Sequence, residues 1–227
     1  MAAMVASKVA LFALLMLAFT AARITAQLPI PPRYDGFVYK DRVTANSVLV
    51  EAFFDPLCPD SRDSWWPLKE VLRFYGDNIT FIVHPFALPY HHNAFIACRS
   101  LHIANRIKTA YTYPLLDHFF KHQARFYNKA TLQVAPASII NQIIHFALEI
   151  SGNSSSTMFE SAFQDTTTDM ATRISFKYGC SRAVTGTPYF FVNGIPLLNI
   201  EETIDYKGWK SIIDPLLAMK TRVSYRK

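Results

Sequence analysis

The sequence predicts an α/β fold, a central mixed sheet with a block of helices inserted into it. Three stretches carry that expectation. Val48 to Phe54 reads as an apolar strand, Asp55-Pro56-Leu57 breaks it, and Cys58-Pro59-Asp60-Ser61 opens a helix that runs on through Trp65, Trp66, Leu68, Val71 and Leu72. Ile79 to His84 is a second run rich in β-branched and aromatic residues, and strand, helix, strand over that distance is a right-handed parallel βαβ unit by default. Far downstream, Asn193-Gly194 separates Tyr189–Val192 from the apolar run 195–198, the strongest short-range hairpin signal in the chain.

Taken in order, the residues before Gly36 form a proline-rich lead, and Phe37-Val38-Tyr39 is a short edge-strand candidate. Ala45-Asn46-Ser47 is a turn. The strand that follows is apolar on both faces apart from Glu51, which suits a central position in a sheet. Pro59 suits the first turn of a helix, where a missing N–H costs nothing, and Gly76-Asp77 ends that helix. After Pro85 and Pro89, apolar spacing predicts helices over 93–107, 115–126 and from Pro136 to Leu148, then shorter ones at 158–163 and 170–178. A last amphipathic helix covers about 201–219. These assignments divide the chain into a leader at 1–26, an N-terminal extension with an edge strand at 27–46, a core built from 47–91 and 179–220, an inserted helical subdomain at 92–178, and a basic tail at 221–227.

Half of the 227 residues are hydrophobic and 14% are aromatic, which suits a folded chain rather than a disordered one. The formal charge of +6 is spread along the sequence, with no basic-aromatic stripe of the kind that binds nucleic acid. Lys8 followed by the apolar run Val9 to Phe19 and small residues up to Ala26 has the layout of a cleaved secretory leader. Losing Lys8 and Arg23 with it leaves a mature chain of +4. No other run is apolar enough for stable membrane insertion. Two sequons, at Asn78 and Asn153, sit in turn-like sequence where a glycan faces water, and the C-terminus carries no Lys-Asp-Glu-Leu type retention signal. Together these features favour the lumen of the secretory pathway or the extracellular space. The oligomeric state is not readable.

Cys58, at a strand-to-helix junction, faces unpaired N–H groups and the positive end of the helix dipole, which favour thiolate. The alternative is a structural cysteine beside a capping segment, since Asp60 and Ser61 also suit a helix start. Asp60 places a negative charge next to the sulfur and opposes the thiolate, or else serves the cap. Three cysteines in an oxidising compartment imply one pair and one left over. The position of Cys58 makes it the odd one, which leaves Cys98 with Cys180. Thr187-Pro188, directly before a strand, is either an ordinary turn or a cis peptide that offers the backbone of Thr187 to an extended substrate.

The strand ending in a Cys-Pro helix, together with Gly186-Thr187-Pro188-Tyr189-Phe190-Phe191-Val192-Asn193-Gly194, resembles the thioredoxin superfamily, and the helical block between them resembles its DsbA-like branch. Phe54 to Asp63 is similar to secretory thioredoxin-like proteins of plants. The resemblance covers about residues 47 to 220. It implies a thioredoxin-like fold, protein thiols and disulfides or glutathione as partners, and Thr187 and Pro188 as the substrate-binding segment. Glu51 resembles the buried acid that moves protons in related oxidoreductases, but it lies one residue farther from the cysteine than usual. The chain must therefore bulge, with burial raising the Glu51 pKa, or Glu51 is a strand-edge acid reaching water.

The departure is Ser61, which stands where DsbA-like oxidants carry a second cysteine. A lone Cys58 cannot hold an internal disulfide, but it can form a mixed disulfide that waits for an outside thiol, and Ser61 can donate to its sulfur. No tightly bound cofactor is implied, although glutathione fits as a co-substrate. His84, His91, His92, His118 and His122 lack the thiolates and spacing of a zinc site, so no metal is expected. His84 and His91 follow the strand next to Cys58 and can line its groove. Three functions remain: one-thiol disulfide exchange or isomerisation, a binding or client-trapping module, and glutathione-dependent transfer or isomerisation.

Overall fold

The computed structural model describes residues 30–197 and 203–224. The leader at 1–26, Leu198 of the hairpin and the last three residues of the basic tail, 225–227, lie outside the described residues. Contacts separate Met1–Pro32 from Arg33–Lys227, and the second unit holds every element described below.

Five strands form one mixed sheet: β1 (Phe37–Val38), β2 (Val48–Phe54), β3 (Ile79–Pro85), β4 (Tyr189–Val192) and β5 (Ile195–Pro196), in the spatial order β1-β3-β2-β4-β5. β2 runs parallel to β3, from Val48 opposite Ile79 to Phe54 opposite Pro85, and antiparallel to β4. Its near-continuous apolar sequence follows from that central place, with cover on both faces. β1 is the antiparallel edge beside β3, as its short length suggests. The β4–β5 hairpin turns through Asn193 and Gly194, both at positive φ, the conformation that a tight hairpin needs.

The helices are α1 (Pro59–Tyr75), α2 (Ala94–Ile107), α3 (Thr112–His122), α4 (Pro136–Ser151), α5 (Ser156–Gln164), α6 (Thr166–Ser181) and α7 (Tyr206–Ser224). Val48, Val50, Ala52 and Phe54 alternate onto one face of β2 and bury against Trp65 and Leu68 of α1 and Trp209 and Ile213 of α7. The main core continues from there into α2, α3, α4 and α5. Phe53, on the opposite face of β2, joins a smaller cluster with Cys58, Phe86, Leu88, Val184 and Phe191, backed by Phe176 and Tyr178 of α6.

The helices expected at 158–163 and 170–178 run longer, extending over Ser156–Gln164 and Thr166–Ser181, but two other boundaries fall short of the sequence reading. The helix expected over 115–126 ends at His122, and Gln123–Phe126 tightens into a 3-10 turn. The last helix starts at Tyr206 rather than near 201. Both differences lie at helix ends, where apolar spacing alone does not register a change of hydrogen-bond pattern. None of the described helices is long and apolar enough to cross a membrane.

Candidate active site

Cys58 is the N-cap of α1, with extended backbone (φ −84°, ψ 122°) and Pro59 following at the first helical position. Its amide donates to the Asp55 carbonyl at 3.0 Å, and its thiol donates to the Thr187 carbonyl at 3.3 Å. The Thr187-Pro188 peptide is cis. Two segments 129 residues apart thus meet at the sulfur, as the motif pair suggested. Cys58 is only 3% exposed and is covered by its apolar cluster.

Asp55 organises the turn between β2 and α1. Its fully buried carboxylate accepts from the amide of Leu57 at 2.8 Å and the amide of Leu88 at 3.0 Å, and lies 2.9 Å from His91 Nδ1. Gln123, also buried, donates through Nε2 to the carbonyls of Pro56 at 3.0 Å and Cys58 at 3.2 Å, while Tyr127 donates to its Oε1 at 2.8 Å. Sequence reasoning missed Asp55 and Gln123. A polar residue after a strand reads as a breaker, and Gln123 was absorbed into a helix that stops one residue earlier.

Glu51 is neither at an edge nor in water. It is 1% exposed on the central strand. Tyr34 donates to its Oε1 at 2.6 Å, Arg182 donates to Oε1 at 3.2 Å and to Oε2 at 3.4 Å, and His84 Nε2 stands 3.4 Å away, an ion-pair distance without hydrogen-bond alignment. Burial pushes this carboxyl up, but His84, Tyr34 and Arg182 more than reverse that and hold it at about 2. The expected upward shift is therefore corrected. β2 pairs without interruption to Phe54, so it carries no bulge between Glu51 and the turn at 55–57. Phe53 occupies the same face of β2 between Glu51 and the cysteine cluster, and its ring stacks on His84 at 4.6 Å.

His84 joins Asp35 through Nδ1 at 2.8 Å. Burial lowers its pKa, but Asp35 and Glu51 outweigh burial and the net direction is upward. Ser175 donates to the other Asp35 oxygen at 2.6 Å. Beside it, burial holds His102 down at about 4, so this ring is neutral near pH 7. His84 therefore belongs to a buried ion network behind the site rather than to its groove, whereas His91 does reach the Cys58 turn.

Ser61 is fully buried and its hydroxyl has no hydrogen-bond partner, so the expected donation to the sulfur is not made. The Thr187 hydroxyl is likewise buried without a partner. Asp60 is exposed in the first turn of α1. The expected Cys98–Cys180 bridge is absent and all three cysteines are free. Cys98 is fully buried on α2, where burial raises its thiol pKa, while the Cys180 side chain faces solvent in the last turn of α6. A bridge needs both sulfurs at one point, and these two side chains end in different environments. Asn78 and Asn153 are both exposed in 3-10 turns. His118 and His122 share a face of α3 with rings 4.8 Å apart, and His118 Nε2 is 2.9 Å from Glu149.

The comparisons with known proteins agree with this architecture. A family profile described as Thioredoxin matches residues 44–215. No curated protein matches the chain. Among solved structures, a Pseudomonas syringae protein proposed to be a protein-disulfide isomerase superposes with a TM-score of 0.66 and 21% identity, covering 79% of this chain and 98% of its own. The thiol-disulfide exchange protein alpha-DsbA2 of Wolbachia pipientis gives 0.60 and 14%, over 80% of this chain and 87% of its own. Oxidised BdbD of Bacillus subtilis gives 0.59 and 15%, over 82% and 100%. The profile starts ahead of the central strand and ends within α7, so it takes in the cysteine helix, the inserted helices and the cis-proline hairpin alike: the chain belongs to the thioredoxin family.

Proposed function

We propose that this protein performs one-thiol disulfide exchange at Cys58, on protein disulfides or glutathione disulfide, in the lumen of the secretory pathway or outside the cell. The observation that carries the reading is the contact between the Cys58 thiol and the Thr187 carbonyl. It joins the only cysteine thiol at a helix N-terminus among the described residues to a backbone segment suited to pairing with an extended substrate. In the forward step the Cys58 thiolate attacks one sulfur of the substrate. The substrate S–S bond breaks, a Cys58 mixed disulfide forms, and the departing thiolate takes up a proton. An outside thiol then attacks the mixed disulfide and regenerates Cys58. Ser61 cannot do this from within. Cys98, buried with a raised pKa, is not placed to do it either.

Support for the compartment comes from the leader-like N-terminus and from the exposure of both sequon asparagines. The burial of Cys58 supports a second reading, a client-trapping or binding module with a guarded thiol. One experiment separates the two. The purified protein is treated with oxidised glutathione, and intact and peptide masses are recorded before and after adding reduced glutathione. A glutathionyl adduct on Cys58 that reduced glutathione removes supports exchange. No adduct on Cys58 in the folded protein sinks exchange in favour of the binding module.

A further inference from the structure

Thiol exchange needs a group that accepts the proton of Cys58 and returns one to the departing thiol. Glu51 is not available for this. It is tied to Arg182, Tyr34 and His84, and Phe53, a member of the Cys58 cluster, follows it on the same face of β2 toward the turn. A different acid–imidazole pair lies at the Cys58 end of the sheet. β2 and β3 are parallel, so the segments after their C-terminal ends are neighbours, and the Phe86 amide continues the pairing by donating to the Phe54 carbonyl at 2.9 Å. The first segment carries Asp55 and Cys58, the second Leu88 and His91. Leu88 packs in the Cys58 cluster. The Tyr90 phenol is raised first by burial and then by Cys58, which places this stretch within the electrostatic reach of the sulfur.

The pair itself is built. Asp55 is fully buried, fixed by two backbone amides, and takes His91 Nδ1 at 2.9 Å. A carboxylate there keeps the neutral imidazole proton on Nδ1 and leaves Nε2 as the basic nitrogen. Nε2 has no hydrogen-bond partner among the described residues, and the side chain is 23% exposed, so the ring reaches solvent rather than the core. The Tyr90 ring packs against the imidazole edge-on at 5.0 Å. Asp55 also accepts the Cys58 amide through its own carbonyl, so one residue holds both the sulfur-bearing turn and the imidazole.

We propose that His91, oriented by Asp55, is the proton carrier of the Cys58 site. Nε2 takes the thiol proton as Sγ attacks a substrate sulfur. The substrate S–S bond breaks, the new Cys58 S–S bond forms, and the departing sulfur leaves as a thiol with the proton from Nε2. The reverse sequence, with an outside thiol as the attacking group, restores Cys58. This inference rests on the exchange reading above and adds to it the residue that handles the proton.

The test is the pH dependence of mixed-disulfide formation on Cys58 of the full chain with oxidised glutathione, comparing the natural protein with His91→Asn. The Asn amide can still donate to Asp55, so the turn keeps its anchor while the basic nitrogen is lost. The titratable groups in contact with His91 are Asp55 and Tyr90, with Cys58 and Asp60 acting on Tyr90 and with Arg62, Cys58 and Asp63 acting on Tyr127 across the same turn. The expected result near pH 7 is a rate about a hundredfold lower, loss of one inflection from the pH–rate profile, and partial recovery with added imidazole. An unchanged rate and profile overturn the proposal. So does a slower rate that imidazole does not restore and that accompanies a lower melting temperature, because that outcome assigns His91 a purely structural role. If the natural protein forms no adduct at all, the exchange reading itself has failed, independently of His91.

Discussion

Ser61 and Glu51 show most clearly how single residues set this site apart. Ser61 lies three positions after Cys58 on α1, fully buried and with an idle hydroxyl, so a thiol there exchanges one small group for another. Ser61→Cys is expected to form an internal disulfide with Cys58, leaving the intact protein two hydrogens lighter until it is reduced; with Cys98 and Cys180 already free, four free thiols after air or diamide oxidation would refute this. Glu51 sets an acid limit. Its folded pKa of about 2 lies below its ordinary 4.5, so its contribution to stability is complete above about pH 4.5 and is lost as the pH falls toward 2. His84 runs the other way. Its pKa is raised, so its contribution is complete below the ordinary imidazole value and is lost as the pH rises through the folded one. Glu51→Gln leaves Arg182 without its carboxylate partner and His84 with Asp35 alone, and is expected to cost on the order of 3 kcal/mol near neutral pH. Urea unfolding at pH 7 and pH 3 checks both size and sign, since the difference from the natural protein should shrink at the lower pH.

At the level of elements, the site depends on how closely α6 approaches the sheet. A Cβ at Gly179 would meet the Phe86 ring at 2.5 Å, and Phe86 and Phe53 belong to the cluster around Cys58. Gly179→Ala is therefore expected to destabilise the fold by about 1–3 kcal/mol and to change the reactivity of Cys58 toward a thiol probe without touching it. Unaltered melting and labelling would show that α6 shifts freely. The β4–β5 hairpin and α1 were legible in the sequence because each carries a local signal, Asn193-Gly194 in one case and Cys58-Pro59 in the other. The 3-10 turn at Gln123–Phe126 was not legible, because Phe126 continues the apolar spacing of α3 after the helix has ended. That small change of winding is associated with the Gln123 amide reaching the carbonyls of Pro56 and Cys58.

Across the whole molecule, stability comes from two packed clusters and a buried ion network, with all three cysteines free. The melting temperature is thus expected to be the same with and without a reductant, and a drop on reduction would reveal a bridge that this structure lacks. The α/β class, the element order and the two motifs at Cys58 and Thr187-Pro188 were determined by the sequence itself, because apolar period, turn residues and motifs are local properties of the chain, and that the two motifs meet was implied only by the resemblance they carry. Only the tertiary structure decided the rest. Glu51 differs from a solvated strand acid because Tyr34, His84 and Arg182, from three distant segments, converge on it. Cys98 and Cys180 stay apart because α2 buries one side chain and α6 exposes the other. Asp55 holds His91 beside the cysteine turn because β2 and β3 are parallel neighbours. Charge state, thiol pairing and proton handling are set by which groups meet in three dimensions, and one-dimensional spacing does not encode those meetings.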